Sequence, residues 1–281
     1  MPGQSYLRKT LEGILSPTEL QSISTGMDIV GDIAVIKIPK SAESKSKTIG
    51  EKVLQDIKNV NTVLDQKTPV SGEFRTRELQ LLAGEDKTVT IHKEFGCLFK
   101  LDLATTYFSP RLSYERIRIA SQVSEGEVVV NMFGGAAPFS IIIAKKQPHC
   151  QVFSIDINPN ADRWAKENIK INKVGDQVRS ILGNAKEVIE TSLTGVADRV
   201  LMPLPETSLE YLDATLQTLK HKQGIFHFYI NIHLDKDEDG IEKTMNLLKK
   251  RLNVDIKMIS GRIVREVGPR WSQVVVDIKI S

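Results

Sequence analysis

The sequence predicts an α/β protein in which a smaller α+β domain precedes a doubly wound, mostly parallel sheet. Three observations support this prediction. After residue 109, apolar strands alternate with helical segments, the order that builds a parallel sheet with helices on both faces. Before that point, short alternating strands surround a single helix. The first strand of the later region, 127–132, runs into the paired glycines Gly134 and Gly135 and then into a helix.

In the earlier region, periodicity predicts strands at 28–38, 88–92 and 97–103 and a helix at 48–58. The segment 72–78 is interpreted as an extended strand, which places Arg75 and Arg77 on one face. We divide the chain into an N-terminal segment, 1–24, a small α+β domain, 25–108, and a sheet domain, 109–281.

In the later region, the pattern predicts seven strands, at 127–132, 151–156, 178–182, 199–202, 224–230, 255–264 and 273–280. Helices are expected near 138–145, 159–172, 208–219 and 238–252. Residues 265–272 are too few for a crossover helix, so the last two strands must pair antiparallel. A final antiparallel hairpin is typical of a methyltransferase sheet rather than a dehydrogenase sheet.

Composition and cysteine spacing argue against a membrane protein, an exported protein and a metal-binding protein. The chain has 281 residues, 26% of them charged, and a net charge of +3, which is too small to decide between RNA and small-molecule substrates. No apolar run approaches the roughly 20 residues that cross a bilayer, and the start lacks the apolar core of a signal peptide. Cys97 and Cys150 lie far apart in no metal-ligand spacing. We therefore expect a cytoplasmic protein without membrane contact or a bound metal. We also expect a monomer.

Two motifs indicate a nucleoside-bearing ligand at the carboxyl edge of the sheet. Gly134 and Gly135 allow close backbone approach at a helix amino terminus, although a ligand-free tight turn is equally compatible with the pattern. The Gly-x-Gly-x-x-Gly spacing of dinucleotide sites is absent. Asp156 closes the second strand and can accept both ribose hydroxyls of an adenosine, or it can cap the following helix.

Three further segments have two interpretations each. Arg75 and Arg77 can grip a phosphate or a carbonyl oxygen, or form a solvated strand face. Ser113 can cap a helix beginning at Tyr114, which places Glu115 in the first turn either as a capping carboxylate or as a base. The prolines of the 203–206 loop either form a flat wall against a planar ring or simply end the strand.

Several of these segments together resemble one enzyme family, the archaeal and eukaryotic type of tRNA (guanine-37) N1-methyltransferase. The resemblance covers roughly residues 25–281. The matching stretches are Phe74-Arg-Thr-Arg77, Phe108-Ser-Pro-Arg-Leu112, Glu115-Arg116, Met132-Phe133 with Gly135 and Pro138-Phe-Ser140, Ile155-Asp-Ile-Asn-Pro159, and Met202-x-Leu-Pro205. The resemblance implies a class I, Rossmann-like methyltransferase sheet that uses S-adenosylmethionine, with a small RNA-binding domain before it.

The resemblance also implies roles for individual residues. Glu115 matches the general base of the family and Arg75 its guanine-facing arginine. The positions that match contacts to S-adenosylmethionine are Phe133, Gly135, Asp156, Ile157, Asn184 and Pro203. We expect Arg77, Arg111 and Arg116 to lie near the RNA.

The chain departs from the family pattern at its cofactor edge. Asn131 and Asn184 replace usual aspartates, Ala137 replaces a common glycine, and Pro203 occupies a site that often carries asparagine. Asparagine adds no negative charge toward a cationic cofactor. Because hydrogen bonds to charged groups contribute about 1.5–3 kcal/mol and neutral ones about 0.5–1.5 kcal/mol, each aspartate-to-asparagine exchange is expected to cost about tenfold in affinity.

A second departure concerns RNA recognition. Archaeal relatives often carry an additional amino-terminal domain that touches the tRNA elbow, whereas about 25 residues precede the matching region here. We therefore expect recognition of the anticodon stem-loop.

Two alternatives stay open at this point. The aminocarboxypropyl transferase of wyosine biosynthesis, or a methyltransferase of a wyosine precursor, shares the sheet. A non-catalytic tRNA-binding protein is the alternative from a different class, because two carboxylates are replaced.

Overall fold

The computed structural model describes residues 3–23 and 26–281, with side chains from Leu7 onward. The chain divides into two compact units, Met1–Tyr114 and Glu115–Ser281. The predicted boundary between residues 24 and 25 lies outside the described residues, and the three-part domain division stays a prediction.

The first unit begins with two helices, α1 (Gly3–Thr10) and α2 (Pro17–Ser22). A capping box starts α2: the Ser16 hydroxyl accepts from the Glu19 amide, and the Ser16 amide donates to the Glu19 carboxylate at 2.7 Å. This segment is part of the folded unit, because its apolar side chains are buried in the same core as the helix that follows. They are Leu7, Leu11, Leu15 and Ile23.

A four-stranded sheet and a hairpin complete the first unit. The elements are β1 (Asp28–Val30), β2 (Ile33–Ile36), α3 (Ser46–Asp56), β3 (Thr62–Gln66), β4 (Leu79–Gly84), β5 (Val89–Glu94) and β6 (Cys97–Asp102). The sheet order is β1-β2-β3-β4, with β2 and β3 parallel. The predicted strand 28–38 is interrupted at Gly31, where a positive φ and close contact with Thr90 leave no room for a side chain.

The prediction of an extended strand at 72–78 is wrong. Ser71 pairs with Thr76 across a turn, and the Arg75 amide donates to the Gly72 carbonyl at 3.1 Å. Arg75 itself has a left-handed backbone, with φ of 53°. Since side chains alternate only along an extended strand, Arg75 and Arg77 do not share a strand face.

The second unit is a helix-flanked sheet. Helix α4 (Ser113–Ala120) precedes its strands, and the unit includes this helix from Glu115 onward. Its strands are β7 (Val128–Asn131), β8 (Gln151–Asp156), β9 (Val178–Leu182), β10 (Arg199–Met202), β11 (Gly224–His233), β12 (Ile256–Gly268) and β13 (Trp271–Ile280). Its further helices are α5 (Pro138–Lys146), α6 (Pro159–Ile171), α7 (Ala185–Val188), α8 (Leu212–Thr218) and α9 (Gly240–Arg251).

The strand order β12-β13-β11-β10-β7-β8-β9 confirms the predicted seven-stranded, doubly wound sheet. Strands β7 to β11 are parallel, whereas β13 runs antiparallel to both β11 and β12. The short 265–272 connection predicted the antiparallel pairing of β12 with β13. The order reverses beside β7, and ligands of such sheets bind at the carboxyl ends of the strands around this point. Among the described residues, no helix is long and apolar enough to cross a membrane.

Candidate active site at the carboxyl edge of the sheet

The loop between β7 and α5 lies tightly against β8. The Gly134 amide donates to the Ile155 carbonyl at 2.7 Å, and a Cβ atom at Gly134 would lie 2.2 Å from the Ser154 hydroxyl. Gly135 follows with φ of 55° and Ala137 with φ of 63°. Only a residue without a side chain fits position 134 as the neighbouring groups stand.

Asp156 joins the two predicted cofactor motifs. Its carboxylate accepts from the Gly135 amide at 2.6 Å and from the Asn158 amide at 2.9 Å. Burial raises the pKa of Asp156, against the effect of these two hydrogen bonds. A carboxylate has about four acceptor sites, so these bonds leave capacity for ribose hydroxyls.

The side chains of Asn131 and Asn184, at this edge of the sheet, both form hydrogen bonds within the protein. Asn131 is fully buried; its amide donates to the Ser140 hydroxyl at 3.2 Å, and that hydroxyl donates to Ser154 at 2.9 Å. An aspartate at 131 would offer Ser140 an acceptor where it needs a donor. Asn184 instead caps α7 by accepting from the Lys186 amide at 2.9 Å.

The loop after β10 contains unused hydrogen-bonding capacity. The Thr207 hydroxyl and the Asn231 side-chain oxygen are buried and have no hydrogen-bond partner among the described residues. Asn231 lies beside this loop, because its backbone N–H donates to the Pro205 carbonyl at 3.4 Å. Buried polar atoms without partners mark a place where a ligand can complete the hydrogen bonding.

Glu115 lies in the first turn of α4, as predicted, and is 1% exposed. Its Oε2 accepts from the Tyr229 hydroxyl at 2.8 Å and from Arg118 at 2.9 and 3.1 Å. Its Oε1 lies 3.1 Å from an Arg262 nitrogen, yet this contact is not aligned as a hydrogen bond. The predicted capping role of Ser113 is wrong, because Ser113 has helical backbone angles and continues a preceding 3₁₀ turn.

Arg118 continues from Glu115 into a buried ionic network. Its guanidinium binds Asp277 with two hydrogen bonds, and Asp277 also accepts from His227, Ser260 and Gln122. Burial by itself raises the pKa of Asp277, but the bonds from His227, Arg118 and Ser260 outweigh it and hold that pKa well below its usual range. Asp277 therefore stays ionised and pairs with the positive charge of Arg118.

His227 is the neutral member of this network. Burial lowers the pKa of His227, although Asp277 opposes the shift. Its Nδ1 lies 2.6 Å from Asp277 and its Nε2 lies 2.9 Å from Arg199. Because a carboxylate can only accept and a guanidinium can only donate, we assign the hydrogen to Nδ1.

Comparison with known families matches most of the chain. Residues 90–258 match the TRM5/TYW2 methyltransferase domain, and residues 7–88 match the TYW2 N-terminal domain. The chain belongs to the TRM5/TYW2 methyltransferase family.

Three relatives within this family are informative. The tRNA (guanine(37)-N(1))-methyltransferase Trm5b of Pyrococcus abyssi is 40% identical over 94% of this chain and 78% of its own length. The tRNA 4-demethylwyosine(37)-methyltransferase Taw21 of Saccharolobus solfataricus is 36% identical over 93% of this chain and 96% of its own length. A solved complex of aTrm5 with tRNALeu superposes with a TM-score of 0.86 at 35% identity, covering 98% of this chain and 78% of that one.

The arginines predicted for the TRM5/TYW2 site have varied surroundings. In the first unit, Arg75 lies over the Tyr107 ring at 4.8 Å, Arg77 donates to Gln66 at 3.0 Å, and the half-exposed Arg111 donates to Asp28 at 2.7 Å. In the second unit, Arg116 is buried 6.0 Å from the Phe139 ring. Their roles toward RNA stay predictions, as does the convergence of Arg75 with Glu115, which belongs to the other unit.

The remaining cofactor positions lie around the same edge of the sheet. Phe133 packs edge-on against Tyr211 with ring centres 4.8 Å apart. Ile157 directly follows Asp156, and Pro203 directly follows β10; both are partly exposed. Leu182 at the end of β9 is 49% exposed and adds apolar surface there.

Sequence reasoning missed the side chains that surround Glu115. Tyr229 and His227 are two positions apart on β11, and Asp277 interrupts the apolar run of β13. A charged residue inside an apolar strand requires a buried partner, and this was the available signal. That partner is Arg118, which lies 159 positions away in the chain. No local sequence pattern identifies it as the partner.

Proposed function

We propose that this chain methylates N1 of guanosine at position 37 of tRNA, using S-adenosylmethionine. Membership in the TRM5/TYW2 family and 40% identity to the P. abyssi Trm5b support the substrate and the reaction. One observation supports the proposed proton transfer in particular: the buried carboxylate of Glu115 has one oxygen that accepts no hydrogen bond. Such an oxygen is a suitable acceptor for a proton from the base.

The residues at the carboxyl edge fit the cofactor. Asp156 retains acceptor capacity for ribose hydroxyls, and its bond from the Gly135 amide places it beside the amino terminus of α5. Phe133, Ile157, Asn184 and Pro203 complete the proposed binding residues. When bound, S-adenosylmethionine supplies an electrophilic methyl group on a sulfonium.

The chemistry at guanine explains the two proposed catalytic residues. N1 of guanine carries a proton at neutral pH, so its electron pair becomes available only as that proton leaves. Glu115 accepts this proton as general base. Negative charge then develops on O6, and Arg75 stabilises it as a fixed hydrogen-bond donor. The Tyr107 ring, 4.8 Å from the Arg75 guanidinium, restrains the plane of that group.

The partner is tRNA, and we propose that the chain acts as a monomer and reads mainly the anticodon stem-loop. Arg77, Arg111 and Arg116 are the proposed RNA contacts. Arg111 suits this role best, because its side chain is 51% exposed and its ion pair with Asp28 lies at the surface. Under this proposal, an isolated stem-loop is methylated nearly as well as whole tRNA, and a large preference for whole tRNA contradicts it.

A second candidate is modification of a wyosine precursor at the same nucleoside. It is favoured by the match of residues 7–88 to the TYW2 N-terminal domain and by the 36% identity to Taw21 over 96% of that protein. Both candidates place the reaction at position 37 and use the same cofactor edge.

Nucleoside mapping separates the candidates. Purified protein is incubated with labelled S-adenosylmethionine and unmodified tRNA carrying guanosine, or adenosine as control, at position 37. If labelled N1-methylguanosine forms in the tRNA with guanosine at position 37 and not in the adenosine control, the result supports the proposal. Activity only on tRNA that already carries 4-demethylwyosine supports the second candidate, and a product with the mass of an aminocarboxypropyl adduct contradicts methyl transfer.

A further inference from the structure

The two oxygens of the Glu115 carboxylate have different surroundings. Oε2 accepts three hydrogen bonds, one from Tyr229 and two from Arg118. Oε1 is buried and accepts none. Arg262, which is partly exposed, forms an ion pair with this oxygen at 3.1 Å but no hydrogen bond to it, so a substrate donor at Oε1 would compete with an ion pair and not with a hydrogen bond.

The groups that hold Oε2 are themselves fixed. Tyr229 is 1% exposed on β11, an interior strand of the sheet. Arg118 is held by two hydrogen bonds to Asp277 on β13, and Asp277 accepts further from His227 at 2.6 Å and Ser260 at 2.7 Å. Exchanging the two carboxylate oxygens by rotation would therefore break three charge-assisted hydrogen bonds at once.

We propose that Tyr229 and the Arg118–Asp277 pair are positioning residues that lock Oε2 of Glu115 and leave Oε1 as the proton acceptor. This inference rests on the proposed role of Glu115. In the step concerned, the N1–H bond of guanine breaks, the proton passes to Oε1, and the electron pair stays on N1. Tyr229, Arg118 and Asp277 touch no reacting atom and act only by fixing which oxygen receives the proton.

Tyr229→Phe tests this positioning role with the smallest change in volume. The rate of a single turnover is measured at saturating S-adenosylmethionine and tRNA, alongside the Kd values of both and the midpoint of unfolding. We expect a rate about tenfold lower, the usual effect of losing one hydrogen bond to a charged group, with both Kd values unchanged. Thr218→Val, which removes a buried hydroxyl bonded to the Ala214 carbonyl, is the matched control and should keep the full rate.

A double-mutant cycle with Glu115→Gln decides between positioning and general structural support. If Tyr229 acts through Glu115, adding Tyr229→Phe to Glu115→Gln lowers the rate no further. Arg118→Lys, which keeps the charge but loses the two-pronged geometry, should behave in the same way.

The outcomes separate this inference from the proposed function. A wild-type rate for Tyr229→Phe, or losses that multiply in the double variant, overturns the positioning role while a slow Glu115→Gln leaves the proposed function standing. A wild-type rate for Glu115→Gln overturns both.

Discussion

Tyr229 donates its hydroxyl hydrogen to Oε2 of Glu115 at 2.8 Å, although the two residues are 114 positions apart in the chain. Both side chains are buried in the second unit, and burial raises the pKa of Tyr229 well above its usual value. The phenol therefore stays a donor across the physiological pH range. This hydrogen bond connects the first turn of α4 to strand β11 of the sheet.

Asp277→Asn should destabilise the fold in a pH-dependent way. The pKa of Asp277 in the folded protein lies below its unfolded value of about 3.9, so its stabilising effect is present above about pH 4 and is lost as the pH falls. Removing one partner of a buried ion pair costs about 3–5 kcal/mol. Urea unfolding should show this loss at pH 7 and a smaller difference from wild type below about pH 4.

The exposed Asp255 provides the control for that measurement. Asp255→Asn should change the free energy of unfolding by no more than about 0.5 kcal/mol at either pH. An Asp277→Asn protein as stable as wild type at pH 7 would contradict the role assigned to the ionic network.

Gly134→Ala should destabilise the second unit by about 1–3 kcal/mol, the usual cost of overpacking. The added methyl group meets the Ser154 hydroxyl, which accepts from Ser140 and cannot turn away without losing that bond. Thermal unfolding measures the loss. Ser154→Ala in the same chain should recover part of it, whereas Gly175→Ala, whose new methyl group meets its nearest neighbour only at 4.0 Å, should cost little.

Restoring aspartates at the cofactor edge should have two different results. Asn184→Asp lies in a partly exposed cap and should tighten S-adenosylmethionine binding about tenfold, because it adds negative charge toward a cationic ligand. Asn131→Asp places a carboxylate in a fully buried position and removes the donor to Ser140, so it should lower stability by about 1–3 kcal/mol. Calorimetric titration and unfolding of both variants give the comparison; equal effects on affinity would contradict it.

The spacing of apolar residues in the sequence was sufficient to predict the sheet, but it was not sufficient to predict the candidate active site. Strand–helix alternation and the short 265–272 connection predicted the doubly wound sheet and its final antiparallel hairpin, because both follow from local patterns of apolar residues. The 72–78 turn was missed because the pairing of Ser71 with Thr76 and the positive φ of Arg75 have no apolar signature. The surroundings of Glu115 depend on three distant strands, β11, β12 and β13, and only the fold brings them together.

Single-turnover methylation by Glu115→Gln tests the central claim most directly. Glutamine keeps the size of the side chain but accepts no proton from N1, so the rate should fall by about 10²–10⁴ while tRNA and S-adenosylmethionine bind as before. An unchanged rate with guanosine-37 tRNA would contradict the assignment of Glu115 as the general base.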